Sequence, residues 1–416
     1  MRVLVVGSGG REHALAWKLA QQAEVICAPG NPGMSGEIEC VPVRATDIEG
    51  ILGLARNRNV ELVVVGPEDP LVLGLADILR GAGLLVFGPG AAAARLEGSK
   101  AFSKQLMTEC GVPTAAFETF TDPDAAAKYA RGVYASGGQL AVKASGTALG
   151  RGVTVAGCLQ EAEEAIRQIM VERKFGQAGE TVVLEERLIG REFSLLTLIG
   201  DKNYVSLPIA QDYKRALDHD EGDNTGGMGA FSPCEWAHQA LVADVESSMV
   251  TPVVDRLRRE GIPFRGNLFT GVMVTSTGPK CLEYNVRFGD PETQTVMMRL
   301  GDGFLDALRA CAAGEEVPAL QVLPHAVVTV VVASRGYPNA YKKGVAISLE
   351  PLVDGSVKRF FAGVTGEPSR LVNSGGRVVA VSALGATLPE ARAKAYDAAS
   401  GVRFEGCYFR TDIASG

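Results

Sequence analysis

The sequence predicts a multidomain protein, α/β at its start, α+β through its middle and β-rich at its end, and three observations carry that prediction. From residue 2 to residue 89 continuous apolar runs alternate with amphipathic stretches, the pattern of a parallel sheet covered by helices on both faces. After a helical segment over residues 94–111 the pattern changes to a compact unit of paired strands and single helices. A last unit opens on HAVVTVVVAS and closes with a helix and a short strand. The length of 416 residues suits two to four domains.

In the first unit the strands are RVLVVG (2–7), EVICAP (24–29), VELVVVG (60–66) and LLVFGP (84–89), with helices expected over 10–22, 47–59 and 70–83. The opening turn, GSGGREHA, partly resembles a dinucleotide-binding fingerprint. Such a site needs an acidic residue at the end of the second strand to hold the ribose, and that strand ends in CAPGNPG, with Glu24 at its start. A nicotinamide site is therefore disfavoured. Loops at the carboxyl ends of the strands should line a crevice, which makes Gly9, Gly10, Asn31, Pro32, Gly33, Gly66, Pro67 and Glu68 candidate ligand contacts. The same residues would serve equally as tight strand-to-helix turns.

The middle unit contains VKASGTALGRGV (142–153), with Gly146, Gly150 and Gly152 beside Lys143. A phosphate loop of the Walker type runs into a helix, yet here VTVAG follows, a β-type run. A glycine loop between two antiparallel strands can instead fold over a nucleotide as a flap, its backbone N–H groups reaching phosphate oxygens. Val142 and Lys143 should face opposite ways, one inward and one towards a ligand. Further on, LEYN sets Glu283 and Asn285 on one face of a strand, two hard oxygen donors suited to Mg²⁺. An exposed polar strand face would look the same. Arg287 continues that face as a fork for a carboxylate or phosphate. Asp290 before Pro291 reads as a helix N-cap, with Gly289 in the turn before it.

The stretch 211–231, QDYKRALDHDEGDNTGGMGAF, is too long for a simple turn, and such loops are usually functional or disordered. Lys214 and Arg215 would meet a phosphate there, Asp212 an amine, and the backbone of Asn224 to Gly229 another anion. Glu185, Glu186 and Glu192 lie where a strand leaves the sheet and could accept from ribose hydroxyls or an amino group.

Composition narrows the class. Hydrophobic residues make up 46% and charged residues 21% of the chain, with a net charge of −7, so disorder is excluded. The charge argues against a nucleic-acid surface. No run approaches a membrane span of roughly 18 apolar residues, and MRVLVVGSGG reads as a strand entering a turn, with no signal cleavage site. Eight scattered cysteines without a C-x-x-C pair, and only four histidines, suggest reduced core thiols of a cytoplasmic protein, with neither a zinc site nor a disulfide framework.

Taken in order, GSGGREHA, APGNPG, VVGPEDPL, LEGSKAF, VKASGTALGRGV, AQDYKR, NTGGMGAFSP, EYNVRFGDPETQ and GGRVVAVSALGATLPEARAKAY resemble the ATP-grasp ligases, and within them the phosphoribosylamine–glycine ligase family, over essentially the whole chain. The resemblance implies a Rossmann-like preATP-grasp domain over 1–99. It implies an ATP-grasp domain over 100–325 with a mobile lid at 120–188, and a small β-rich C-terminal domain over 326–416. It implies ATP, Mg²⁺ or Mn²⁺, glycine and 5-phosphoribosylamine as ligands, no nucleic acid or membrane, and a monomer. Carried over residue by residue, Lys100, Lys143, Ser145, Gly150, Arg151 and Gly152 would meet ATP phosphates, Glu185, Glu186 and Leu188 the adenine, and Glu192 the ribose. Glu283 and Asn285 would hold the metal. Arg287, Asp290, Asp212, Lys214, Asn224, Thr225, Gly226, Gly227 and Gly289 would surround glycine and its acyl phosphate.

The chain departs from the family pattern at Ser145 (usually Asp), Arg151 (usually Lys), Tyr213 and Phe361 (often His) and Arg335 (usually Gly). None of these departures removes a proposed metal or carboxylate group. Competing readings are another purine-pathway ATP-grasp ligase or carboxylase, a dinucleotide-dependent oxidoreductase, and a nucleotide-binding regulator without turnover.

Overall fold

A computed structural model of the chain describes residues 1–147 and 152–415. Gly150 and Arg151 lie outside the described residues. The first unit is a five-stranded parallel sheet in the order Glu39–Cys40, Glu24–Pro29, Arg2–Gly7, Leu62–Val65 and Leu85–Phe87. Val3 to Val6 and Leu62 to Val65 are buried, as strands covered on both faces must be. The strand order reverses beside Arg2–Gly7, so the crevice for a ligand lies beyond Gly7 and Gly66.

Two expected helices are each broken in two. The segment over 70–83 becomes Glu68–Val72 and Leu75–Gly81, because Gly74 between them has φ +85°, a left-handed conformation that glycine adopts readily. The segment over 94–111 becomes Ala91–Gly98 and Lys100–Glu109, broken at Ser99, which is extended and caps the second helix by accepting from the Phe102 N–H at 3.3 Å. That break sets Lys100 at the first position of a new helix.

A separate antiparallel sheet runs Phe117–Phe120, Val182–Glu186, Leu140–Ala144, Val153–Val155. Its own core joins Val142, Val182 and Leu184 to Ala126, Ala130 and Ile166 of the helices Pro123–Ala135 and Leu159–Ile166. The glycine loop does join two antiparallel strands, with Lys143 opposite Val153. The central sheet, Tyr204–Ser206, Arg191–Ile199, Gly266–Thr275, Gly278–Asn285, is also antiparallel.

The stretch 211–231 is more regular than a long loop. Gln211–Asp212 and Gly229–Ser232 are strands, and a hairpin of Arg215–Leu217 with Glu221–Asn224 stands between them. Both outer strands belong to the C-terminal sheet, whose order is Gln211–Asp212, Gly229–Ser232, Ala326–Ser334, Arg377–Gly385, Val357–Phe361. The helix Glu292–Arg299, buried along its whole length, packs against this sheet and against the helix Gly10–Leu19. The eight cysteines are free thiols, but only Cys27, Cys234, Cys281 and Cys311 are core residues, and Cys158 is exposed. Among the described residues no helix is long and apolar enough to cross a membrane.

Candidate active site

The break at Ser99 and the strand Leu140–Ala144 bring three lysines together. Lys143 is buried, and its Nζ lies 2.8 Å from Glu185 Oε2; Lys104 meets the same oxygen at 3.1 Å and donates to Thr114 Oγ1 at 2.6 Å. Glu185 Oε1 has no partner among the described residues. Burial works against the charge on Lys143, but Glu185 and Glu283 outweigh it and raise its pKa above the ordinary lysine value. On Lys100 and Lys104 burial wins, and both pKa values fall despite Glu283 beside the first and Glu185 beside the second.

Glu185 is thus the counter-ion of a lysine pair, whereas Glu186 is exposed and 3.7 Å from Lys280. Lys143 lies in the same buried ion cluster. Ser145 fastens the start of the glycine stretch to the Lys100 helix. Its carbonyl accepts from the Lys100 N–H at 2.6 Å and its hydroxyl from the Ala101 N–H at 3.1 Å. Gly152 closes the other end, its carbonyl accepting from the Ala144 N–H at 2.8 Å. Leu188 is half-buried just beyond the end of Val182–Glu186.

Glu283 faces Lys100, Lys143, Lys214 and Arg287. Burial would raise its pKa, and these cations more than offset that. Neither its carboxylate nor the Asn285 amide has a hydrogen-bond partner among the described residues, and no group of three or more acidic, histidine or cysteine side chains forms a metal cage there. Two unpaired oxygen donors beside a lysine row fit Mg²⁺, which takes few protein ligands and completes its shell with waters and phosphate oxygens.

Arg287 is more committed than its sequence position suggests. Its Nε lies 3.3 Å from Glu68 Oε2, one terminal nitrogen lies 2.8 Å from Glu97 Oε1, and the other donates to the Phe288 carbonyl at 3.1 Å. Glu97 also accepts from the Val286 N–H at 2.8 Å. Burial pushes the Glu97 carboxyl up to about 7 even though Arg287 opposes it. The expected free fork is therefore an ion pair joining the first unit to the second.

A second cluster stands on the other side of Glu283. Lys214 Nζ lies 2.6 Å from Glu192 and 3.1 Å from Asp212, while Ser194 donates to Glu292 at 2.9 Å. Three acids share one lysine there. Burial and the neighbouring Asp212 push Glu292 up to about 7, and burial with Glu192 raises Asp212 despite Lys214. Burial opposes the charge on Lys214 itself, and Asp212 and Glu192 raise its pKa well above the ordinary value. Arg215 turns away to the Gly222 carbonyl, 2.8 Å off, and holds the hairpin.

All three units meet at Asp290. It does not cap the helix: Pro291 holds the N-cap position, and Asp290 Oδ1 accepts from Gln294 Nε2 at 2.8 Å and pairs with Arg377 at 3.3 Å. Burial would raise the Asp290 pKa, and Arg377 and Arg11 pull it below the usual value. Arg377 also donates to the carbonyls of Gly226 at 2.7 Å and Asp290 at 2.7 Å. Gly227 has φ +114°, and a Cβ there would lie 2.4 Å from Pro291 Cδ. Thr225 and Asn224 hold the strand of this turn, Thr225 Oγ1 donating to the Lys214 carbonyl at 2.9 Å. A Cβ on Gly289 would strike Glu292 at 2.5 Å, on Gly9 would lie 3.8 Å from Asp290 Oδ2, and on Gly10 would lie 2.8 Å from Gln294 Nε2.

The remaining crevice residues pack tightly. The Glu12 carboxylate fills the turn between Gly7 and Gly66, bonding the Gly9 N–H at 2.6 Å and Arg11 at 2.5 Å. Pro67 opens the short helix that carries Glu68. Asn31 spends its amide inside the fold, donating to the carbonyls of Ser8 at 2.8 Å and Phe361 at 2.9 Å and accepting from the Gly33 N–H at 2.9 Å, with Pro32 half-buried between. The Phe361 ring lies against Gly33 and stacks on His13, whose pKa burial and Lys358 depress to about 3. Neutral His13 accepts the Phe361 N–H at 2.9 Å. Tyr213 accepts from the Ala414 N–H at 2.9 Å, and Arg335 is exposed.

Sequence reasoning missed Lys104, Glu97, Glu292 and Arg377 as site residues. Lys104 is one helical turn from Lys100 and so carried a signal; Arg377 stands in the GGR of the last unit and carried none.

A lysine row beside two hard oxygen donors, next to a small antiparallel sheet with its own core, is the arrangement of the ATP-grasp class. Models of phosphoribosylglycinamide synthetase match the chain in three parts, the N domain at residues 1–97, the ATP-grasp (A) domain at 98–293 and the C domain at 327–416, and the chain belongs to that family. It is 44% identical over 422 residues to a phosphoribosylamine–glycine ligase of Rhodopirellula baltica, covering 99% of this chain and 97% of that one. To the enzyme of the same name from Rhizobium meliloti it is 45% identical over 417 residues, covering 99% and 98%. The solved phosphoribosylamine–glycine ligase of Thermotoga maritima superposes with a TM-score of 0.86 at 34% identity, covering 99% of this chain and all of that one. A biotin carboxylase of Campylobacter jejuni shares the fold, with a TM-score of 0.76 at 15% identity, covering 98% and 92%.

Proposed function

We propose that this protein is a ligase joining glycine to 5-phosphoribosylamine, splitting ATP to ADP and phosphate through a glycyl phosphate, in the glycinamide ribonucleotide step of purine biosynthesis. The observation that carries this reading is that Glu283 interacts both with the lysine row of Lys100 and Lys143 and with Lys214 of the acid-rich cluster around Asp212. The first side suits phosphates and their cation; the second suits an ammonium group.

A carboxylate is a poor electrophile and must be activated first. A glycine carboxylate oxygen attacks the γ-phosphorus and ADP departs; the amine nitrogen of phosphoribosylamine then attacks the acyl carbon, the bond to phosphate breaks, and the amine loses a proton. Both steps depend on alignment and charge neutralisation more than on a protein nucleophile. Lys100 and Lys143 hold the phosphates. Glu283 and Asn285 would hold Mg²⁺ or Mn²⁺, which supplies further charge neutralisation at the transferring phosphoryl group. Asp212 and Glu292 take the glycine ammonium, and Arg287 and Asp290 border its carboxylate. The flap rooted at Ser145 and Gly152 excludes water from the acyl phosphate. We place the working units at 1–99, 100–325 and 326–416, and read the protein as a cytoplasmic monomer.

Incubation with ATP, Mg²⁺, glycine and freshly generated phosphoribosylamine should release ADP only when both co-substrates are present. Release without glycine, or with bicarbonate in its place, would transfer the protein to a different ATP-grasp reaction.

A further inference from the structure

A second cleft, of about 880 Å³, opens between the end of the strand Gly229–Ser232 and the start of the helix Leu388–Ser400. Its lining includes Arg191, Arg299, His325, Phe231, Trp236 and Glu235. Arg191 neighbours Glu192, and the Trp236 indole N–H donates to Oε1 of Gln211, neighbour of Asp212, at 3.0 Å. Adjacent residues on a strand point to opposite faces, so this cleft backs onto the acid cluster with one layer of strands between.

Arg299 is the unusual group. It is 9% exposed, and one terminal nitrogen donates to Ser232 Oγ at 2.7 Å while its Nε is buried with no partner. No carboxylate pairs with it among the described residues. Half-buried Arg80 and buried Arg359 share the unpartnered Nε, but their terminal nitrogens meet more acceptors: Arg80 donates to the carbonyls of Val86, Gly88 and Arg265, and Arg359 to those of Glu350 and Ala398, where Arg299 has Ser232 Oγ alone. A buried guanidinium without an anion is costly unless a ligand completes it. The helix of 13 residues adds a second attraction. Its first turn lines the cleft, and although Glu390 takes the Ala386 N–H at 2.9 Å, the Leu388 N–H has no partner among the described residues. Arg191 stacks over Trp236 with its guanidinium carbon 4.3 Å from the ring centroid, and Glu235 is the single acid in the lining.

We propose that this cleft is a second ligand site, taking a small organic phosphate with a flat ring: the phosphate on Arg299 and the start of Leu388–Ser400, the ring against Phe231 and Trp236. The volume suits a ligand of that size. A planar, multiply donating guanidinium is the group that grips phosphate oxygens in pairs.

The chain has two tryptophans, Trp17 and Trp236, so the Trp17→Phe protein reports on this cleft by fluorescence. Saturated with ADP and Mg²⁺ to fill the other site, it should bind phenyl phosphate with a saturable signal, about tenfold more tightly than inorganic phosphate. Arg299→Met and Arg191→Gln should each weaken binding several-fold. Arg191 is exposed, so if Arg299→Met does not fold, Arg191→Gln decides by the same criterion. The absence of a saturable signal, or parental affinity in the folded variants, would overturn the site; equal affinity for the two phosphates would overturn the place given to the ring.

Discussion

Glycine binding should weaken as pH falls through neutrality, and Glu292 is the reason. Its carboxyl is pushed up to about 7 by burial and by Asp212, so near neutral pH it holds a proton about half the time. A glycine ammonium between Asp212 and Glu292 favours the ionised form, and binding below that pKa must expel the proton. The ionised fraction falls from about nine-tenths at about pH 8 to about one-tenth at about pH 6, a loss of about tenfold in affinity or about 1.4 kcal/mol. Glu292→Gln keeps an acceptor for Ser194 but cannot ionise. It should bind glycine about 10- to 100-fold more weakly at about pH 8, the range of a lost charge-assisted hydrogen bond, and its affinity should be flat over the same pH range. Calorimetric titration of glycine into the ADP-saturated protein measures both. A parental affinity that is flat with pH, or a Glu292→Gln variant that keeps the slope, would refute the placement of the ammonium.

Glu97 makes a stability prediction with the same sign of shift. Its folded pKa is about 7 against the ordinary value of 4.5, so its contribution is fully present below the unfolded value and is lost as pH rises through about 7. The difference is worth about 3 kcal/mol, and urea unfolding of Glu97→Gln should lack that part of the parental pH dependence. Glu283→Gln should raise the Mg²⁺ needed for half-maximal ADP release by at least about tenfold, because a charged ligand becomes a neutral one. Gly227→Ala, at φ +114° and facing Pro291, should cost about 1–3 kcal/mol of backbone strain and displace Asp290; an unchanged KM for glycine would show that the turn does not shape that pocket.

Much of the architecture was legible because burial writes itself into short apolar runs. The parallel strands around Val3 to Val6 and Leu62 to Val65 are continuous hydrophobic segments, and only a sheet covered on both faces explains them. The antiparallel pairing of the strands on either side of the glycine stretch was legible for the same reason, since VTVAG cannot begin a helix after its glycines. The hairpin at Glu221–Asn224 was not legible, for it is polar on both faces and almost wholly exposed; its pairing is set by contacts with Arg215 and with the distant Arg410. At the site, the spacing of Glu283 and Asn285 could be read from strand geometry. The commitment of Arg287 to Glu68 and Glu97 could not, because those acids arrive from 219 residues away in one case. Charged residues buried by tertiary convergence leave no local period to detect.

The placement of Gln211–Asp212 and Gly229–Ser232 in the C-terminal sheet has a consequence for how the protein is made. Both strands are made by residue 232, but Ala326–Ser334, the ladder partner of Gly229–Ser232, leaves the ribosome about a hundred residues later. Until then the turn holding Asn224 to Gly227 hangs from an unpaired edge, and Arg377, which ties it to Asp290, does not yet exist. The nucleotide half of the cleft can assemble on the nascent chain, whereas the acid-rich half must wait for almost the whole polypeptide. A chain truncated before residue 326 should therefore retain contacts for phosphate and none of the ordered surroundings of the amine, and its exposed strands make it prone to aggregation.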